Sequence, residues 1–258
     1  MNFNEKAHIW DLISLSQQQA ADDLFTLLDI KELDNVLDMG CGTGYLTEKI
    51  YNITPNVIGI DKAQNMIKVA QEKRPFIRFN LGDAEQLEIH NCYDWIVTNA
   101  VTYYFKDMPG TFSRFYNALK INGSYALQSQ VLRTPQFIQA FKKLEEDPIT
   151  QDIYATFKLP TQILDLSQLV TILKSVKFTI KYAKVINYAT KYSVAQALDI
   201  FKSGAATQYL NADAYRLPLT DTYIMQFWYL IENSLKEQAI NDKITLEFPR
   251  CFIVAQKC

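Results

Sequence analysis

The stretch "NVLDMGCGTGYLTEKI", Asn35 to Ile50, puts three of the chain's eight glycines on alternate positions, directly after a short apolar run and directly before a helical pattern. This constrains the fold more than any other feature. Glycine accepts positive φ angles, and its missing Cβ lets a backbone turn sharply against a ligand. The N–H groups opening the following helix then face whatever occupies the turn. Such a loop belongs between a buried strand and a helix of an α/β sheet.

The rest of the first half keeps that rhythm. "NVLDM", "NVIGID", "FIRFN", "YDWIVTNA" and "SYALQSQ" read as strands, and "GYLTEKIYN", "AQNMIKVAQEK" and "MPGTFSRFYNALK" read as the helices between them. Alternation of this kind predicts parallel strands joined by right-handed crossovers. "SQQQAADDLFTLLDI" predicts a leading helix within residues 1–30. After Gln130 the segment 133–163 is mixed, aromatic and punctuated by prolines, and "LSQLVTILKSV" then restores a helix. A strand at "FTIKYAKVINYAT", helices at "SVAQALDIFKSGAATQYL" and "DTYIMQFWYLIENSLKEQ", and a closing strand at "ITLEFPRCFIVAQK" follow. We expect one domain over 1–258, with segments 131–176 and 193–243 as helical, cap-like insertions.

Asp38 stands two residues before Gly40, so Gly40, Gly42 and Gly44 follow an acid, and Tyr45 takes the place where a dinucleotide fingerprint has its last glycine. An acid there repels a pyrophosphate and suits a cation. Asp61 closes the next strand about 20 residues further on, where a carboxylate accepts both hydroxyls of a ribose or simply caps the next helix. Asp83, in "NLGDAEQL", ends the third strand within reach of an adenine amino group, or serves as a turn aspartate.

Taken together, Asp38-x-Gly40-x-Gly42-x-Gly44, Asp61 and Gly82-Asp83-Ala84 resemble the S-adenosylmethionine site of the Rossmann-like class I methyltransferases. That resemblance implies a seven-stranded α/β sheet in the order 3-2-1-4-5-7-6, the last strand antiparallel, with S-adenosyl-L-methionine as cofactor. It also implies donor contacts from Asp38, the three glycines, Asp61, Asp83 and Ala84, with Asn99 after the fourth strand and Gln19 on the leading helix.

"TNAVTYYFKD" lacks the Asn/Asp-Pro-Pro-aromatic signature of enzymes that methylate nucleobase amines. It resembles the Asn-Ala-x-x-x-aromatic stretch shared by the malonyl-acyl-carrier-protein O-methyltransferases of biotin synthesis and the trans-aconitate methyltransferases. "LSQQQAADDLFTLL" and "ALDIFKSGAATQYL" resemble the former group, and "LEFPRCFIVAQK" the latter. Where the aconitate group carries arginines in its first helix, this chain has Gln17 and Gln19.

Both groups esterify a carboxylate, which is already ionised near neutral pH and needs no general base. The acceptor is then a small acid or an acyl-carrier-protein thioester, held by a cation. Arg133, after the fifth strand, is the first candidate for that cation; Arg250 is a more structural one, on a strand read as lying towards an edge. Tyr103, after Asn99, is expected to line the reacting centre. Methylation of a phenol, an amine or a lipid acid, or a non-catalytic donor-binding module, are the competing readings.

A net charge of −2, without a run of like charges, predicts neither a nucleic acid partner nor an anionic membrane surface. Cys41, Cys92, Cys251 and Cys258 lack metal-ligand spacing, and His8 and His90 are the only histidines. No metal site is expected, and the thiols suggest a reducing, cytoplasmic setting. Cys41, inside the glycine loop with no histidine in sequence view, is read as a small packing residue.

Overall fold

The computed structural model describes residues 15–203 and 206–258. Residues 1–14 of the expected leading helix, His8 among them, and residues 204–205 of the Gly-Ala-Thr segment lie outside the described residues.

In chain order the elements are α1 (Leu15–Phe25), β1 (Val36–Met39), α2 (Tyr45–Tyr51), β2 (Val57–Asp61), α3 (Gln64–Lys73), β3 (Arg78–Leu81), β4 (Tyr93–Asn99), α4 (Met108–Ala118) and β5 (Leu119–Gln130). They continue with α5 (Pro135–Glu146), α6 (Gln151–Tyr154), α7 (Leu166–Ser175), β6 (Phe178–Ser193), α8 (Val194–Ser203), α9 (Ala206–Tyr209), α10 (Asp221–Gln238) and β7 (Lys243–Lys257). The chain divides into two compact units. One comprises the described part of Asn2–Val131 with Gln162–Ile186 and Arg250–Cys258; the other comprises Leu132–Thr161 and Asn187–Pro249.

All seven strands form one sheet in the order β3-β2-β1-β4-β5-β7-β6, as the resemblance implies. β1 pairs in parallel with β2 and β4, β3 with β2, and β4 with β5, whereas β7 runs antiparallel to β5. Every residue of β1 is buried, the signature of a central parallel strand covered on both faces. Strand order reverses between β1 and β4, and a crevice opens at the carboxyl ends of strands where that happens.

Helix α4 shows how one face of the sheet is covered. Asp107 caps it, accepting the Gly110 N–H at 3.0 Å, and Pro109 pre-sets the first turn. Phe112 and Phe115, three apart, turn to one side and are fully buried against Tyr125 of β5, ring centroids 5.6 and 5.1 Å away. Truncating either to alanine costs about 3–5 kcal/mol in such a setting. The Tyr125 hydroxyl is shared with Thr98 of β4 at 2.8 Å, so the one polar atom in this aromatic cluster has its partner. β5 begins five residues before the expected Ser124, because Asn122 takes a positive φ of 66° and the pairing with β4 shifts register there.

α7, within the segment 131–176 expected as an insertion, belongs to the sheet unit. Its Leu169 and Leu173 are buried in the same core as Phe112 and Tyr125. In the second unit α5 corrects the sequence reading. The segment read as mixed and proline-punctuated contains a 12-residue helix, with Pro135 in its first turn rather than at a break. Its Phe137, Ala140, Phe141 and Leu144 recur at helical spacing and pack in a core with Phe201, Tyr223, Phe227 and Ile231. Among the described residues no helix is long and apolar enough to cross a membrane.

Candidate functional site

Gly40, Gly42 and Gly44 all have positive φ, at 76°, 55° and 91°. The loop is pinned to the neighbouring strand by the N–H groups of Gly40 and Cys41, which both donate to the Ile60 carbonyl at 2.7 and 3.1 Å. A Cβ on Gly40 would lie 2.6 Å from the Val101 side chain, and one on Gly44 2.6 Å from the Phe79 ring. Gly40→Ala should therefore lower the unfolding free energy by at least about 1–2 kcal/mol from backbone handedness alone. Urea denaturation checks this, and an unmoved midpoint would mean that the loop takes another path.

Two carboxylates flank the loop. Asp61 accepts the Gly42 N–H on one oxygen at 2.9 Å and the Ala63 N–H on the other at 2.8 Å. It is not the cap of α3, as its alternative reading had it: Ala63 occupies that position, and Asp61 closes the turn before it. Each Asp61 oxygen keeps a lone pair for a ligand hydroxyl. Burial raises its pKa, opposed by the N–H groups of Ala63 and Gly42.

Asp38 is 1% exposed and accepts a hydrogen bond from the Thr47 hydroxyl at 2.6 Å. Burial is the largest influence on it, raising its pKa to about 7; the Thr47 hydroxyl pulls the other way and the Asp61 charge adds to the rise. An acid held at the edge of ionisation beside a second acid favours a cationic ligand. Cys41, between them, is buried, and burial with the charges of Asp38 and Asp61 keeps it a thiol.

Asp83 accepts the Glu85 N–H at 3.0 Å and caps the short turn Ala84–Gln86, the role of a turn aspartate, with Ala84 buried behind it. Asn99 ends β4. Its Nδ2 donates to the Gln17 carbonyl of α1 at 3.2 Å, and its Oδ1 is buried with no partner among the described residues. Gln19 stands exposed on α1, whose hydrogen bond to the strand end comes through Gln17 instead.

Gln128 escaped the sequence reading. It lies directly beside Asn99 across the β4–β5 pairing and is fully buried, and both ends of its amide lack partners among the described residues. Unsatisfied buried amides are rare and costly, so the two on adjacent strands are candidates for contact with a ligand. The available signal was a glutamine directly after the apolar "YAL" of a buried strand pattern.

Tyr103 sits in the turn Thr102–Tyr104 that follows β4. Burial raises its pKa and the Arg250 charge moderates the rise. Arg250, 5% exposed, pairs with Gln130 at the end of β5. Its strand lies between β5 and the edge strand β6, towards an edge as expected. Arg133 belongs to the second unit, its guanidinium carbon 6.0 Å over the Tyr209 ring.

The sheet order, the left-handed glycine loop and the paired acids define a class. A family model described as a methyltransferase domain matches residues 30–187. The chain belongs to that family, and its fold is that of the Rossmann-like, S-adenosylmethionine-dependent class I methyltransferases. Among its relatives is a malonyl-[acyl-carrier protein] O-methyltransferase from Acetivibrio thermocellus, 32% identical over 135 residues. That match takes in 50% of this chain and 48% of the relative, so the chain spans about half the length of that protein. A trans-aconitate 2-methyltransferase from Variovorax paradoxus is 26% identical over 92% of both chains. The YcgJ protein of Bacillus subtilis has a similar fold, with a TM-score of 0.63 and 16% identity, over 93% of this chain and 98% of that one.

Proposed function

We propose that the chain is an S-adenosylmethionine-dependent carboxyl O-methyltransferase acting on a small acid or a malonyl thioester. The observation that carries the donor is the buried Asp38–Asp61 pair wrapped around three left-handed glycines. The residues fit the group. The glycine loop turns through three left-handed positions that a side chain would strain, Asp61 offers two acceptors to a ribose, Asp38 favours positive charge, and Asn99 Oδ1 supplies an acceptor for an ammonium. Asp83 and Ala84 take the adenine end.

When bound, the donor supplies a methyl group on a sulfonium, open to attack by an oxygen. The remaining work is done by the chain. A carboxylate acceptor arrives ionised at neutral pH, so no residue has to remove a proton. Orientation at near-attack distance contributes roughly 7–11 kcal/mol, and Tyr103, beside the end of β4, contributes a rigid wall towards it. Arg133 holds the acceptor carboxylate. The acid and thioester readings are supported by the relatives' activities, malonyl-carrier-protein and trans-aconitate methylation. A place in biotin synthesis follows from the thioester alone.

The test is to incubate the protein with methyl-labelled donor and, in turn, malonyl-acyl-carrier protein, trans-aconitate and a series of aliphatic acids. Label released as methanol by mild base identifies a carboxyl ester. Base-stable label on a phenol or amine would overturn the carboxyl reading. Donor binding with no transfer to any acceptor would favour a binding module.

A further inference from the structure

The second unit holds a cavity of about 400 Å³ lined by Arg133, Glu145, Tyr154, Ala155, Phe157 and Leu159. One wall is an ordered aromatic stack. Phe157 lies nearly parallel to Tyr154, centroids 5.8 Å apart at 11°, and to Tyr209, 4.8 Å apart at 25°. Tyr209 stacks in turn on Phe141 at 3.8 Å, inside the unit's own core, so the wall is rigid before any ligand arrives.

Arg133 faces this wall. Among the described residues no ion pair holds its guanidinium, neither with Glu145 across the cavity nor elsewhere, and its charge lies 6.0 Å over the Tyr209 ring. Tyr209, stacked behind Phe157, backs the wall. It is 3% exposed, and its hydroxyl is buried with no partner among the described residues. Burial pushes its pKa to about 12, with the Arg133 charge pulling it down.

We propose that this cavity binds an organic monocarboxylate with an apolar body, its carboxylate on Arg133 and its body along Tyr154, Phe157 and Leu159. A planar guanidinium matches a carboxylate in two-point fashion. Arg133 and Glu145 leave the lining without net charge, so each further negative charge on a ligand is disfavoured, phosphates and dicarboxylates most. The volume falls in the range that encloses whole small molecules and exceeds what a bare malonyl head requires. The choice of a carboxylate rests on the carboxyl-methylation reading; the existence of the site does not.

The experiment uses the full chain without donor and follows binding of 3-phenylpropionate, its primary amide and malonate by calorimetry. The acid should bind at least tenfold tighter than the amide and than malonate. Arg133→Gln should bring the acid down to the affinity of the amide, and Leu159→Trp, which fills the cavity, should weaken both at least tenfold. Equal affinity of acid and amide in the natural chain overturns the proposal, as does an Arg133→Gln variant that keeps the preference. If that variant does not fold, the acid–amide comparison and Leu159→Trp decide. S-adenosylmethionine titrated into the same samples separates the two readings: loss of donor binding counts against the methyltransferase assignment, while acid binding judges the cavity.

Discussion

Raising the pH from about 4 to about 7 should weaken the folded protein through Asp38 by up to about 4 kcal/mol. The carboxyl starts from a value of 3.8 in the unfolded chain and is held near 7 in the fold, chiefly by burial. Below 3.8 it is neutral in both states and contributes nothing. Between the two values the native state keeps a proton that the unfolded chain has released, so stability falls as pH climbs, and above about 7 the loss is complete. Asp38→Asn keeps an acceptor for Thr47 and removes the titration. Urea unfolding of both proteins across this range should show the natural chain losing up to about 1.4 kcal/mol more per pH unit than the variant. Parallel curves would mean that Asp38 ionises freely in the fold. The same linkage makes a cationic donor bind more tightly as pH rises towards 7, since its charge draws the proton off Asp38.

Asp61→Ala should cost about a hundredfold or more in donor affinity. The carboxylate ties Gly42 and Ala63 in place and offers its remaining lone pairs to a ribose; each hydrogen bond to a charged group is worth about 1.5–3 kcal/mol. Unfolding stability should change much less, because losing two backbone bonds is offset by no longer burying a carboxylate beside Asp38. Removing the Asp61 charge also lowers the Asp38 pKa, which moves the pH window of the first prediction downward. Calorimetric titration with S-adenosylmethionine measures the affinity, and an unchanged dissociation constant would place the ribose elsewhere.

The glycine turn and the strands around it were largely legible because their parts are local. A glycine at φ 91° announces itself as glycine, and β1, β2 and β4 are short apolar runs bounded by turn residues at nearly the observed ends. What stayed hidden depends on neighbours distant in sequence. Gln128 is notable only because Asn99 lies beside it on another strand and neither amide is satisfied. Arg250 is buried through its pairing with Gln130 on the neighbouring strand, a contact between residues 120 positions apart. α5 was obscured by its own punctuation. Pro135 opens the helix and Pro148 follows it, and both read as breaks until the burial of Phe137, Ala140, Phe141 and Leu144 shows one continuous face. The leading helix was foreseen, but the hydrogen bond from Asn99 to its Gln17 carbonyl was not.

The second unit is assembled from Leu132–Thr161 and Asn187–Pro249, so the backbone enters and leaves it twice. No single cleavage or truncation can therefore detach it, and a protease acting on either segment nicks a molecule that still holds together. The same threading gives two separate loci at which residues can be gained or lost in evolution while β1 to β5 and the glycine turn stay untouched. The second unit can thus diversify on a frame whose glycine turn is inherited unchanged.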